Sequence, residues 1–373
     1  MLPKSLLSCC VLLSSCFLHY PIPKIKSPEQ PQTKILHESP IDQPNKSGVP
    51  PQVSDYFIQN TIRISIEYPS ASAGVMCNGN WWVLGDDAQN LLIVTAENDT
   101  PYLYQPLPFV REHEEGSMES NRARIKKANK MDFEALAHFQ DANRFHHIWA
   151  FGSGSKSPWR DTGLYWNFDE FNSFPFHIQP YKINLAPLYE ILQHRSQISP
   201  EKWNIEGACI DPTGEGALFL LNRTPATLIR IPLRDWFRYL EIGSIPIEKN
   251  IEIYTFKLPQ IDGYSSGFSG ATYDTSRRSI WFSSSVEITN DPISDGRILG
   301  SFIGEISVQS GEINGTPLRV PDGALVNQKT KLESLCIQKS KNKFSRKFHG
   351  TIDNDNGSSE LILIDMHLNN ENH

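Results

Sequence analysis

Five copies of one short pattern divide the chain. Each opens on a small or acidic residue and runs into apolar ones: Gly74-Val75-Met76-Cys77, Glu134-Ala135-Leu136-Ala137, Glu206-Gly207-Ala208-Cys209, Ser269-Gly270-Ala271-Thr272 and Glu333-Ser334-Leu335-Cys336, with starts 60, 72, 63 and 64 residues apart. Behind each comes a second apolar run that ends in a polar cluster: Gly85-Asp86-Asp87, Gly152-Ser153-Gly154-Ser155, Asn222-Arg223, Ser283 to Glu287, and Asp353 to Gly357. One such unit cannot bury its apolar surface alone, so the copies must stack, and for units of short strands the closed solution is a radial array. The expected fold is all-β, a β-propeller of five blades, or of six if a diverged copy occupies Arg234 to Pro259. A blade commonly takes about 40 to 50 residues. The longer spacing here implies insertions, most plainly Arg111 to Lys130 and Pro158 to Phe176. Thr61 to Tyr68 is the expected closing strand, joining the last blade from the start of the domain.

The segments between these anchors agree. Trp81–Leu84, Leu91–Ala96, Ile148–Phe151, Ala217–Leu221, Thr227–Ile231, Ile251–Phe256, Ser279–Phe282 and Leu361–Ile364 are short runs rich in β-branched and aromatic residues, the composition of strands. Helical periodicity is scarce. Leu185 to His194 suits one short helix, and Glu112 to Lys130 and Lys126 to Phe139 suit a turn or two. Because no helix recurs between successive strands, a parallel βαβ sheet is excluded.

The first residues give an address. Lys4 precedes an apolar run from Leu6 to Leu13, too short for a membrane span of about 20 residues and suited to a signal peptide. Leu13-Ser14-Ser15-Cys16 follows and resembles the bacterial lipobox, in which the Cys thiol carries the lipid. Acyl chains on Cys16 would give lasting attachment where one chain alone is marginal. The alternative is an ordinary secretory signal cut near His19. Residues 17 to 55 hold eight prolines among Lys, Gln, Ser and Glu, a composition that buries little apolar area and suits a tether. The reading is therefore a signal peptide over 1–15, a lipidated Cys16 with its tether over 16–55, and one propeller over 56–373. The expected place is the bacterial cell envelope, lipid-anchored, or secreted if the anchor is absent. The chain has 35 Lys plus Arg against 42 Asp plus Glu, a formal charge of -7, and its basic residues are scattered. No nucleic-acid partner is expected from such a surface, and the domain is expected to be a monomer.

Six cysteines invite a disulfide reading that the repeat removes. Cys9, Cys10 and Cys16 lie in the signal region, and Cys77, Cys209 and Cys336 each stand three residues after a repeat start. Equivalent sites in different blades do not meet the Cα separation of roughly 4.4 to 6.8 Å that a disulfide needs, so these three are expected to be small buried hydrophobes.

Asp132-Phe133-Glu134-Ala135-Leu136, Gly152-Ser153-Gly154-Ser155, Asn204-Ile205-Glu206-Gly207-Ala208, and Leu332-Glu333-Ser334-Leu335 followed by Asp353-Asn354-Asp355 form an ordered series. It resembles a family of bacterial propellers that is similar in turn to the esterase-like phytase group. The resemblance covers roughly residues 70 to 368 and implies a secreted or envelope propeller. A shared fold does not by itself carry a reaction.

The repeat also says where chemistry belongs. The start of each inner strand and the end of the next meet at one channel mouth, so Glu134, Glu206, Glu333, Asp86, Asp87, Glu287, Asp353 and Asp355 are expected to converge there. Oxygen ligands in that number suit Ca²⁺ or Mg²⁺. Asp86, Asp87, Glu287, Asp353 and Asp355 are the candidate ligands, and Glu134, Glu206 and Glu333 the candidate catalytic groups, one serving as general base for a metal-polarised phosphoric or carboxylic ester. Arg160, Arg223 and Arg297 are the candidate clamps for an anionic substrate. Against this stands a structural reading: such Glu residues bond the neighbouring blade, and Asp and Asn are ordinary in turns. A binding or scaffold propeller without chemistry is thus the rival class. Other motifs fail. Gly152-Ser153-Gly154-Ser155 is not a nucleophile elbow, no phosphate loop or zinc pair is present, and His146-His147 would face opposite sides of a strand. Trp81-Trp82 and Trp159 to Phe176 suit either a binding rim or inter-blade filling.

Overall fold

A computed structural model describes residues 56–95, 102–107, 124–126, 129–169, 178–244, 250–288, 296–308, 313–317, 330–338, 344–354 and 358–368. Residues 1–55, with Cys16 and the proposed tether, and Asp355 lie outside that set. Strand β1 (Tyr56–Ile66) is followed by blade 1, made of β2 (Ala71–Cys77), β3 (Asn80–Gly85), β4 (Asn90–Val94) and β5 (Tyr102–Pro106). Blade 2 is β6 (Phe133–Gln140), β7 (Phe145–Gly152), β8 (Thr162–Asp169) and β9 (Tyr181–Asn184). Helix α1 (Ala186–Ser196) leads to blade 3, which is β10 (Ile205–Asp211), β11 (Ala217–Asn222), β12 (Thr227–Pro232) and, after helix α2 (Leu233–Ile242), β13 (Glu252–Thr255). A short hairpin, β14 (Gln260–Ile261) and β15 (Tyr264–Ser265), precedes blade 4: β16 (Gly267–Asp274), β17 (Ser279–Ile288), β18 (Arg297–Ser307) and β19 (Ile313–Pro317). Blade 5 is β20 (Leu332–Gln338), β21 (Ser345–Asp353) and β22 (Ser359–Leu368), and β1 supplies its outer strand, with Ile64 opposite Leu361. Neighbouring inner strands touch in the cyclic order β2, β6, β10, β16, β20 and back to β2, which closes the ring. The fold is a five-bladed β-propeller, closed by the predicted N-terminal strand.

Each blade is buried on both faces, which explains strands that are apolar throughout instead of alternating. In β11, Leu218 and Leu220 enter the core shared with blade 2, while Phe219 and Leu221 enter the core shared with blade 4. Adjacent Trp81 and Trp82 likewise divide between the 5/1 and 1/2 cores, so this pair is filling and not a rim.

Several sequence expectations need correction. Arg234 to Pro259 holds no sixth blade; it carries most of α2 and the outer strand β13 of blade 3. Helix α2 forms because Trp236 and Tyr239 fall on one face and enter the 2/3 core, and it stops where Gly243 takes φ 72° and donates its N–H to Tyr239 O at 2.8 Å. Pro158 to Phe176 is not a loop insertion throughout, since Thr162–Asp169 is strand β8, with Trp166 buried against Trp82. Phe133 to Phe139, expected to be partly helical, is the inner strand β6. The predicted short helix is found as α1, with Leu188, Tyr189 and Leu192 in the core. Among the described residues no helix is long and apolar enough to cross a membrane.

Candidate functional site

The same irregularity marks the start of every inner strand. The ladder to the second strand slips by one residue at Ser72, Glu134, Glu206, Ser269 and Glu333, so each of these is the extra residue of a β-bulge. Four of the five match the predicted repeat starts. In blade 1 the start is Ser72 and not Gly74, two residues earlier. The cysteine register changes with it: Cys209 and Cys336 are equivalent, but Cys77 lies two residues farther along its strand. All three are free and buried.

The bulges release Glu134, Glu206 and Glu333 from the ladder toward one mouth, where basic side chains meet them. Glu206, 3% exposed, accepts from Asn204 Nδ2 at 2.6 Å and from Arg223 Nη1 at 3.1 Å. Arg223 reaches on to Glu287 of blade 4, which also accepts the Gly296 N–H. Lys331 Nζ lies 2.8 Å from Glu333 Oε1. In blades 1 and 2, Lys130 Nζ stands 2.5 Å from Asp86 Oδ2 and 2.6 Å from Asp132 Oδ1, and Arg160 Nη1 donates to Asp132 Oδ2 at 2.8 Å and to Ser155 Oγ at 2.6 Å. Asp87 pairs with Arg124 at 2.7 Å. The mouth is therefore a ring of alternating charges. Below it, Gly74, Ala135, Gly207, Ala208 and Gly270 narrow the channel to a void of about 10 Å³, room for about one water.

The electrostatics follow from this packing. Burial, then Glu206, Asp132 and Asp86, raise the Glu134 carboxyl well above the usual carboxylate range. Burial also pushes Glu333 up to about 8; Lys331 pulls it back and Glu206 adds to the rise. Glu333 Oε2 is buried without a hydrogen-bond partner among the described residues, which a protonated acid tolerates better than a carboxylate does. Asp132 is buried and Glu287 half-buried, but Lys130 and Arg160 hold the first below its ordinary value, and Lys331 and Arg223 the second.

The structure thus brings Glu134, Glu206 and Glu333 together with Arg160, Arg223, Asp86, Asp87 and Glu287, but these two arginines hold carboxylates, and Asp86, Asp87 and Glu287 pair with Lys130, Arg124 and Arg223 in turn. Ligand atoms of Asp86, Asp132 and Glu134 do lie within 4.8 Å of one another. Lys130 already sits between the first two, so Ca²⁺ or Mg²⁺ there would have to displace an ammonium group. Asp353 ends β21 and adds to the negative field on Arg124. Arg297 is exposed at the start of β18. Sequence reading missed Asp132, Lys130 and Lys331. The usable signal was position: Asp132, Asn204 and Lys331 each stand two residues before a bulged Glu, and the last two bond it.

The opposite mouth differs. Past the narrow channel a cavity of about 890 Å³ opens at the C-terminal ends of the inner strands, lined among others by Asn78, His138, Gln140, His146, Asp274 and Arg346. Its size falls within the roughly 300 to 1,000 Å³ of small-molecule sites. Arg346 Nε donates to Asp274 Oδ2 at 2.6 Å, a pairing of blade 5 with blade 4.

The sequence profile of the DUF6929 proteins, a family of unknown function, matches residues 67–366. The chain belongs to the DUF6929 family. That match begins at the end of the closing strand and spans all five blades. No curated protein matches the sequence. Among solved structures, this DUF6929 chain is similar to a glutaminyl cyclase from Myxococcus xanthus, at 11% identity over 84% of this chain and 97% of the other, with TM-score 0.42. It is also similar to a mutant α-L-arabinanase from Cellvibrio cellulosa, at 10% identity over 79% of this chain and 91% of the other, with TM-score 0.44.

Proposed function

We propose that this chain is a ligand-binding β-propeller of the bacterial cell envelope, lipid-anchored at Cys16, which takes a small polar molecule into the cavity at the C-terminal ends of its inner strands. One observation carries the reading: the polar groups of the bulge mouth are engaged with one another above a channel closed to anything larger than water, whereas the opposite mouth holds a cavity of about 890 Å³. Because Asp274 and Arg346 satisfy each other there, the ligand is one of little net charge, held by hydrogen bonds from His138, Gln140 and Asn78 against apolar walls. Hydrogen exchange of the full chain, with and without compounds selected by thermal shift, tests this. Protection at Asn78–Gly79, Gln140 and Asp274–Ser276 is expected; protection confined to the ring around Lys130 and Lys331 would overturn it. The anchor predicts palmitate labelling that Cys16→Ala abolishes.

A second reading, a hydrolase of phosphoric or carboxylic esters of the esterase-like phytase type, is favoured by Glu333, whose raised carboxyl retains a proton at neutral pH as a general acid must. It requires turnover on an ester panel with Ca²⁺ or Mg²⁺ present, lost in Glu333→Gln. A folded protein that turns over none of those esters sinks this reading.

A further inference from the structure

Three metal-ligand side chains meet where blades 1 and 2 face each other beside the cavity. Register places Gln140 opposite His146 and His138 opposite Ile148 on the β6–β7 hairpin. His138, Gln140 and His146 therefore share one face of that hairpin. Cys77, the last residue of β2, belongs to the 1/2 core and approaches this face from the other side. Its Sγ lies 3.5 Å from His146 Nδ1, and His138 Nε2 lies 2.9 Å from the same nitrogen. The three ligand atoms are all within 4.8 Å of one another.

We propose that Cys77, His138 and His146 bind a thiophilic transition-metal ion of the zinc class, with its fourth position open to the cavity. Metal–sulfur and metal–nitrogen bonds of about 2.3 and 2.0–2.1 Å at tetrahedral angles put neighbouring ligand atoms roughly 3.3 to 3.6 Å apart; the Cys77–His146 separation of 3.5 Å lies in that range, and the two imidazole nitrogens, 2.9 Å apart, must part to admit the ion. One sulfur and two imidazole nitrogens suit zinc, cobalt or copper and do not suit Ca²⁺ or Mg²⁺. Gln140 Nε2 stands 3.4 Å from the remaining nitrogen of His146, so a flip of that amide would offer its oxygen to the Nε2–H of the tautomer that turns Nδ1 toward the ion, and Phe168 stacks on the ring at 5.2 Å. His147 faces the other way, toward Tyr165 Oη at 2.8 Å, and takes no part. Binding is a substitution: the Cys77 S–H bond breaks, a sulfur–metal bond forms, and the proton leaves to solvent through the cavity. Three protein ligands and one open position are the arrangement of zinc sites that bind or activate a fourth group. The inference rests on the reading that the cavity mouth is the working one and names a chemical anchor within it.

The test uses the full chain, stripped with chelator and titrated with Co²⁺ and then Zn²⁺. One Co²⁺ per chain with a thiolate-to-cobalt charge-transfer band, displaced by Zn²⁺, is expected. Cys77→Ser should abolish the band and His138→Ala weaken binding about tenfold or more. Cys209→Ser and Cys336→Ser, checked with the others for native circular dichroism, should leave the band intact. A folded chain that binds no Co²⁺, a band that survives Cys77→Ser, or binding lost only in Asp132→Asn would overturn the site. Ligand protection of the cavity rim in the stripped protein would show that the binding reading survives such a failure; absence of that protection while the cobalt band forms would sink the binding reading and leave the metal site standing.

Discussion

Arg223 and Glu287 form an ion pair across the boundary between blades 3 and 4, while the same guanidinium holds Glu206 within blade 3. Both carboxylates are largely shielded from water. Replacing Arg223 by Met leaves two buried acids without their partner and is expected to cost about 3–5 kcal/mol, read as a fall in urea midpoint at constant slope. Adding Glu206→Gln and Glu287→Gln removes the stranded charges and should restore much of the loss. Equal stability of the single and triple variants would show that the ring is not coupled.

Glu333 gives a pH signature with a definite sign. Its folded carboxyl titrates at about 8 against an ordinary value of 4.5, so the folded chain holds a proton that the unfolded chain has released between those limits. The Glu333 contribution to stability therefore falls as pH rises from about 4.5 to 8, by an amount on the order of a few kcal/mol, while His349, pushed down to about 4 by burial, and His147, shifted the same way, act in the opposite sense below about 6.5. Glu134 shifts in the same direction as Glu333. Asp132 and Glu287, held below their ordinary values, lose stabilisation only in acid, outside this window. Chemical unfolding at pH 5, 7 and 9 should show this contribution as the difference between the wild type and Glu333→Gln; an unchanged slope in that variant refutes the assignment.

The blade count and the closing strand were legible because they follow from spacing and apolar runs, which the ring preserves. The register of blade 1 was not. Cys77 imitates Cys209 and Cys336 in sequence, and only the slipped ladder at Ser72 shows that it lies two residues farther on. That displacement brings Cys77 to His146, so its departure from the repeat and its place in the cluster have one cause. His138 is not legible from spacing because its partner is across a hairpin, eight residues away, whereas the adjacent His146 and His147 face opposite sides of one strand. The carboxylates were legible as a group, but their pairing was not: Lys130 and Lys331 stand just ahead of the inner strands β6 and β20, where a lone Lys looks like solvated surface.

The closing strand carries its own prediction. β1 pairs with β22 over ten positions, from Tyr56 opposite Leu368 to Ile66 opposite Ser359, and Arg63 ties it to Glu360 at 3.4 Å and to Thr330 at 2.9 Å. Deleting residues 1–66 exposes the β22 edge, a template for pairing with another chain. Such a protein should unfold at lower temperature and associate at concentrations where a chain lacking only residues 1–50 remains dispersed. Light scattering during a thermal scan measures both, and equal behaviour of the two truncations would deny β1 its closing role.

The tightest part of the ring lies one residue past the bulges, where Ala73, Ala135, Gly207, Gly270 and Ser334 face one another around the channel. Three of these carry a Cβ and two do not, and the vacancies are adjacent, in blades 3 and 4. A Cβ on Gly270 would lie 2.6 Å from Ser283 Oγ and 2.8 Å from the Cα of Ser334, and the second atom is backbone and cannot step aside. A Cβ on Gly207 would meet its nearest atom, Gly270 C, at 3.1 Å. Gly270→Ala must therefore push blade 5 outward, and about 1–3 kcal/mol of destabilisation is expected, with a smaller loss for Gly207→Ala. Measured urea midpoints should rank wild type above Gly207→Ala above Gly270→Ala. The reverse order would mean that the inner strands can slide past each other to make room, and that the channel is set by its side chains and not by the approach of the backbones.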